Sequence, residues 1–239
     1  MAVRAPVTPG SADGAFDAIA VASVASLESL ESRYFFWKRV LDVVVSAALL
    51  VTLSPVILLT ALAVSLNTPG PVFFRQRRVG EDGVEFDMLK FRSMRHNVSV
   101  RKHQDAIKVY MAGGKLNEDG DAGSPYKLKG DSRITRVGQI IRKTSIDELP
   151  QLWNVLMGQM SMVGPRPPIP YELQYYSPRA MERLKGKPGI TGPWQVYGRN
   201  RVTFDRMVEM DIEYLEQRSV WQDLKLIAIT APAAIRGGA

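Results

Sequence analysis

The decapeptide "RKTSIDELPQ", Arg142 to Gln151, sets two adjacent carboxylates, Asp147 and Glu148, a few residues after two cations. Acids in this setting can hold a divalent cation such as Mg2+ or attack phosphorus, and neighbouring cations can neutralise phosphate oxygens. Two further stretches fit the same chemistry. In "SMVGPRPPIP" four prolines stiffen the chain around Arg166, and a cation on a rigid loop suits a bidentate phosphate contact, although a plain surface arginine is the ordinary alternative. In "KGKPGITGPWQVYGRNR", Lys185, Lys187, Arg199 and Arg201 stand among four glycines, a composition that lets backbone approach a nucleotide. That stretch contains neither GxxxxGK[ST] nor GxGxxG, so a P-loop or Rossmann site is not supported.

The composition narrows the chemistry further. With 239 residues, 46% of them hydrophobic, the chain is long enough for one catalytic core and an appendage. A net charge of +7 favours anionic partners without choosing among them. Cysteine is absent and only two histidines occur, His96 and His103, which excludes thiolate chemistry and disfavours a His-rich metal site. Any metal would be hard and oxygen-bound.

The elements that must position these residues begin with Val43 to Leu66, 24 residues without a charge, long enough to enter a membrane. Ser54-Pro55 lies at its middle, where proline removes a backbone donor and should break the helix into two arms of about 18 Å each. Neither arm alone crosses a hydrocarbon core of about 30 Å. Both flanks are basic, with Arg33, Lys38 and Arg39 before and Arg75, Arg77 and Arg78 after, and basic flanks favour the cytoplasmic side. The preferred reading is a re-entrant helix-break-helix over a straight span, with the Ser54 hydroxyl as a partner for backbone groups freed at the break. Asp42, close to Lys38 and Arg39, reads as an interfacial ion-pair member. Residues 1–33 lack the pattern of a secretory signal and read as a poorly ordered leader, with a short surface helix as the alternative.

Beyond "NTPGP", the runs "VFFRQRRV" and "VEFDMLKF" read as strands joined by "GEDG", whose Asp82-Gly83 is a hairpin signal. Residues 96–130 read as a long polar insertion. A helix is expected from Pro150, welcome at a first helical position, with Leu152, Val155 and Leu156 buried and Gly158 ending it. Asp147 and Glu148 would then precede its positive end. Ser145-x-x-Glu148 also matches a capping box, but a helix begun at Ser145 would carry Pro150 inside it. The final stretch from Asp211, "DIEYLEQRSVWQDLKLIAITAPAAIRGGA", reads as a mixed helix followed by a short apolar one from near Trp221, either core or lying on a membrane surface.

A membrane hairpin, cations on rigid loops and a carboxylate pair beside a helix start together suit phosphoryl chemistry at a bilayer surface. From about Lys38 onward the chain resembles the bacterial sugar transferase family, the monotopic polyprenyl-phosphate phosphoglycosyl transferases in their minimal form. The resemblance is carried by "KRVLD", Ser54-Pro55, "PGPVFFRQRRVG", "KFRSM", "DSRITRVG", "RKTSIDELPQLWNVLMGQMSMVGPRP", "KPGITG" with "GRN", and the closing "YLEQRSVWQDLKLI". It implies an α+β fold: a monotopic membrane protein with an N-terminal re-entrant helix-break-helix over residues 34–66, and a catalytic domain over 67–239 with a small β-hairpin or sheet and surrounding amphipathic helices. It also implies a ping-pong reaction in which Asp147 takes a phosphosugar from a UDP-sugar, releases UMP and passes the phosphosugar to a polyprenyl phosphate. Glu148 would be the Mg2+ partner of Asp147, and Arg142, Lys90, Arg92, Arg166 and Arg199 the phosphate- or substrate-binding candidates. The expected place is the bacterial inner membrane, catalytic domain on the cytoplasmic side, in exopolysaccharide, capsule or O-antigen initiation with a hexose such as galactose or glucose. A homodimer is left open.

Three competing readings remain. An ordinary glycosyltransferase would use "DGD", Asp119 to Asp121, as a metal site, but no apolar strand precedes it. A non-catalytic, membrane-associated scaffold binding nucleotide sugars would not need Asp147. A nucleic-acid partner is disfavoured, because the basic residues are dispersed and the apolar hairpin would be unexplained.

Overall fold

The computed structural model describes residues 12–95, 108, 110–111, 133–198 and 202–235. It divides into two compact units, Met1–Lys38 and Arg39–Ala239. In the first, the described chain is helical from Ala12, within the stretch read as a leader. Near its end, Tyr34 meets Phe35 and Phe36 meets Trp37 edge to face, with centroids 5.5 and 5.4 Å apart.

The second unit opens with the remainder of helix α1 (Ala12–Thr52), followed by α2 (Ser54–Asn67). Pro55 stands in the first turn of α2, where its missing N–H costs nothing, and Ser54 Oγ donates to the Val51 carbonyl at 2.8 Å. The expected break is therefore present, and Ser54 does supply a partner to a freed carbonyl. No single helix among the described residues is long and apolar enough to cross a membrane, whereas Glu31–Thr52 and Ser54–Asn67, bent by 62°, meet the length and composition together.

Strands β1 (Phe73–Val79) and β2 (Glu85–Phe91) form the expected antiparallel hairpin, with Phe73 opposite Phe91 and Val79 opposite Glu85. Asp82 and Gly83 have φ of 54° and 80°, and the Val84 amide donates to the Glu81 carbonyl at 3.1 Å, the positive-φ pair that a tight primed turn demands. Further on come α3 (Arg136–Lys143), a 3-10 turn (Ile146–Glu148) and α4 (Gln151–Leu156). Then follow β3 (Ser161–Val163), a 3-10 stretch (Pro170–Tyr175), α5 (Pro178–Met181), a 3-10 turn (Glu182–Lys185) and β4 (Gly189–Thr191). β3 and β4 pair in parallel, with Ser161 opposite Gly189. Helices α6 (Phe204–Gln217) and α7 (Val220–Ile235) complete the order.

The main core joins β2, α4, β3, α6 and α7 through Phe86, Met88, Val155, Val163, Tyr214 and Leu226. A smaller one joins α2, β2 and α3 through Val64, Phe91 and Ile141, so the apolar hairpin and the sheet share buried surface. Of the stripe expected on α4, Leu152 and Val155 are buried but Leu156 only in part; the polar Gln151 and Asn154 are buried beside them. Helix α7 is two-sided, with Leu226 inside and Trp221 exposed. Asp42 departs from the interfacial position expected for it: it is 2% exposed, and its Oδ1 accepts from Ser161 Oγ at 2.9 Å and the Met162 amide at 2.8 Å. A buried carboxylate is retained where donors meet it, and these donors lie 119 and 120 positions away, out of reach of local inspection.

Candidate active site

The acid pair sits on a turn between two short helices. Thr135 caps α3, its hydroxyl accepting the Gly138 amide at 2.9 Å, and the helix ends at Thr144. Ser145 then takes a left-handed conformation, φ 56°, and its side chain caps nothing, so the capping-box pattern is not used. The 3-10 turn Ile146–Glu148 carries Asp147 and Glu148, both half-buried, and Pro150 caps α4 as the start expected for it. The pair therefore stands just ahead of a helix, separated from it by Leu149 and Pro150.

Glu148 is held by a residue from the hairpin. Lys90 Nζ donates to Glu148 Oε1 at 2.8 Å, with the two side chains 17% and 32% exposed. Asn154, on the helix that follows the acid turn, ties that helix to β2. Its Oδ1 accepts from the Leu89 amide at 2.9 Å, and its Nδ2 donates to the Asp87 carbonyl and to Gln159 Oε1, both at 2.8 Å. At the other end of α4, Arg39 donates to the Val155 and Leu156 carbonyls, each at 2.8 Å, completing bonds that a helix C-terminus leaves open. A residue at the base of the apolar hairpin thus fixes the helix that follows the acids.

Lys90, Glu148 and Arg166 line one depression, together with Arg78, Gln151 and Gln195. Arg166 comes from the proline-rich loop after β3. Gly164 lets that loop lie flat on the chain before β4, since a Cβ there would overlap the Lys187 carbonyl, and the Gly189 amide donates to the Pro165 carbonyl at 2.9 Å. Burial raises the Glu172 carboxyl above its ordinary range, although Arg78, Arg166 and Arg183 nearby pull it down.

Not every candidate converges. Asp147 neighbours Glu148 on the turn but does not line the depression, nor does Arg142, half-buried in the last turn of α3. Arg92 is 6% exposed and donates to the Thr68 and Pro69 carbonyls at 2.6 and 3.0 Å, so it secures the exit from α2. Arg199, Asp119, Asp121 and the 96–130 insertion, apart from Lys108, Tyr110 and Met111, lie outside the described residues. Sequence reasoning missed Arg39, Asn154, Gln151 and Gln195 as contributors. Asn154 had a signal: a polar residue on the apolar face of "QLWNVL" needs partners if it is buried. Among the described residues no cluster of three or more metal-ligating side chains occurs. Asp147 and Glu148 remain a hard oxygen donor set, suited to an ion that draws its other ligands from phosphate and water.

The bent apolar helix pair and the small sheets define an α+β protein, with the acid turn set among cations. The chain belongs to the bacterial sugar transferase family, whose model matches residues 33–237. Among its relatives, the undecaprenyl-phosphate galactose phosphotransferase of Salmonella typhimurium is 41% identical over 201 residues, 84% of this chain and 41% of that protein. The UDP-glucose:undecaprenyl-phosphate glucose-1-phosphate transferase of Caulobacter vibrioides is 41% identical over 206 residues, 83% of this chain and 69% of that one. The exopolysaccharide production protein ExoY of Rhizobium meliloti is 38% identical over 198 residues, 82% and 84% of the two chains. The chain spans about two fifths of the length of several relatives it matches.

Proposed function

We propose that this protein transfers a hexose 1-phosphate, galactosyl or glucosyl, from its UDP derivative to a polyprenyl phosphate such as undecaprenyl phosphate, initiating an exopolysaccharide, capsule or O-antigen. The observation that carries this reading is the acid turn: a carboxylate pair whose Glu148 is tied to Lys90 beside a depression that also receives Arg166, in a chain whose relatives are named for this transfer.

A carboxylate oxygen of Asp147 attacks the β-phosphorus of the UDP-sugar. The bond from that phosphorus to the bridging oxygen breaks, UMP leaves with the bond's electron pair, and the phosphosugar stays on Asp147 as an acyl phosphate. An oxygen of the polyprenyl phosphate then attacks the same phosphorus and restores the carboxylate. Lys90 and Arg166 neutralise the phosphate oxygens, which an aspartate must otherwise approach against like charge. Asp147 and Glu148 are the residues that would hold Mg2+, which when bound supplies charge neutralisation at the pyrophosphate. The bent helix pair dips into one leaflet of the inner membrane and returns, leaving the acid turn on the cytoplasmic side, within reach of the polyprenyl phosphate headgroup.

The test is the leaving nucleotide. With UDP-glucose or UDP-galactose, undecaprenyl phosphate and Mg2+, this reading expects UMP; UDP as the product overturns it.

A further inference from the structure

From Ser161 to Ile169 every residue is buried except Arg166, which is half-exposed. The loop that presents it is gripped by charged side chains from three other elements. On one side Arg78 of β1, 4% exposed, donates Nη1 to the Pro167 carbonyl at 2.8 Å and Nη2 to Gln76 Oε1 at 2.9 Å. On the other, Arg183 donates Nη2 to the carbonyl of Arg166 itself at 3.3 Å and Nη1 to the Tyr176 hydroxyl at 2.9 Å. Asp211 of α6, fully buried, holds Arg183 through Nε and Nη2, at 2.8 and 2.7 Å from Oδ2. Glu172 accepts the Ile169 amide at 3.1 Å, and the Val79 amide donates to the Pro168 carbonyl at 2.9 Å.

Burying two guanidinium groups and two carboxylates is a poor way to gain stability, because desolvation consumes most of what the pairs return. What the set achieves is geometric. Two planar guanidinium forks fix consecutive carbonyls, those of Arg166 and Pro167, and leave the Arg166 side chain half-exposed on an otherwise buried loop. A lysine at either position would keep the charge but lose the planar fork whose spaced N–H groups meet these partners at once.

We propose that Arg78, Arg183 and Asp211 are positioning residues for Arg166, fixing its backbone so that its guanidinium is held where Lys90 and Glu148 meet the sugar nucleotide. This rests on the reading of Arg166 as a phosphate-binding group in the proposed transfer.

The test is a double-mutant cycle on the full chain in lipid nanodiscs, with UDP-glucose and UDP-galactose as probes and affinity, KM and kcat measured separately. Arg166→Ala, Arg183→Lys and the pair are compared with wild type, and thermal midpoints are recorded. Arg183→Lys is expected to weaken sugar-nucleotide affinity on the order of tenfold when Arg166 is present and to have no further effect in Arg166→Ala. The same loss in both backgrounds, or no loss in either, overturns the proposal. Should Arg183→Lys fail to fold, Arg78→Lys runs the same cycle from the opposite side of the loop. An Arg166→Ala chain that binds as well as wild type overturns the underlying reading of Arg166, a result distinct from additivity within the cycle.

Discussion

Lys90 Nζ stands 2.8 Å from Glu148 Oε1, joining the second strand of the hairpin to the acid turn across 58 positions. Both side chains are partly exposed, so the pair contributes about 1 kcal/mol or less to stability. Lys90→Met should therefore shift the melting temperature by only a few degrees, roughly 2–4 °C or less, while lowering kcat/KM for the UDP-hexose by about 100-fold through lost phosphate neutralisation. Calorimetry and steady-state kinetics check this. Activity that falls only as far as stability does would make the pair a structural strut.

Asn154 answers for the position of that pair. It is 1% exposed and makes three hydrogen bonds, two of them to the backbone of β2. Asn154→Ala strands the Leu89 amide and the Asp87 carbonyl and should cost roughly 2–4 kcal/mol in denaturant unfolding. A change below about 0.5 kcal/mol, the range of an ordinary surface substitution, would mean that β2 is fixed without it.

The natural chain has no cysteine, which makes the topology of the bent helix pair directly measurable. Single Glu31→Cys and Arg75→Cys chains, at exposed positions at the start of the pair and beyond its end, should react with a membrane-impermeant maleimide only from the cytoplasmic side. Labelling of the two positions from opposite sides would establish a span in place of a re-entrant hairpin.

Asp211 gives the pH dependence a sign. Burial raises its carboxyl to about 6 from an ordinary 3.8, against the pull of Arg183. Between those values the folded chain binds more protons than the unfolded one, so this group's contribution to stability falls as pH rises through the window and levels off above it. Asp211→Asn lacks that component. Unfolding free energies compared from pH 4 to 7 should therefore show wild type losing ground to Asp211→Asn as pH rises to about 6. A wild type that gains over the same interval would mean that Arg183 outweighs burial.

The residues that announced themselves in the sequence were those whose constraint is local. Pro55 breaks a helix because it lacks an N–H, and Asp82-Gly83 closes a hairpin because both tolerate positive φ. Pro150 marked the start of α4 for the same kind of reason. Residues whose meaning is a distant partner stayed hidden. Asp42 looked interfacial until β3 supplied its donors, and Arg92 looked like a phosphate ligand although it binds the turn after α2. The parallel β3–β4 pair could not be read at all: three residues on each strand, set among prolines and glycines, carry no periodicity.

The central claim is that Asp147 carries the phosphosugar. Intact-protein mass measurement after incubation with UDP-glucose or UDP-galactose, without polyprenyl phosphate, tests it most directly. The account predicts an added mass equal to one phosphohexose on the wild-type chain, discharged by undecaprenyl phosphate and absent in a folded Asp147→Asn chain. An adduct that persists in Asp147→Asn, or turnover to polyprenyl-linked product by that variant, would contradict it.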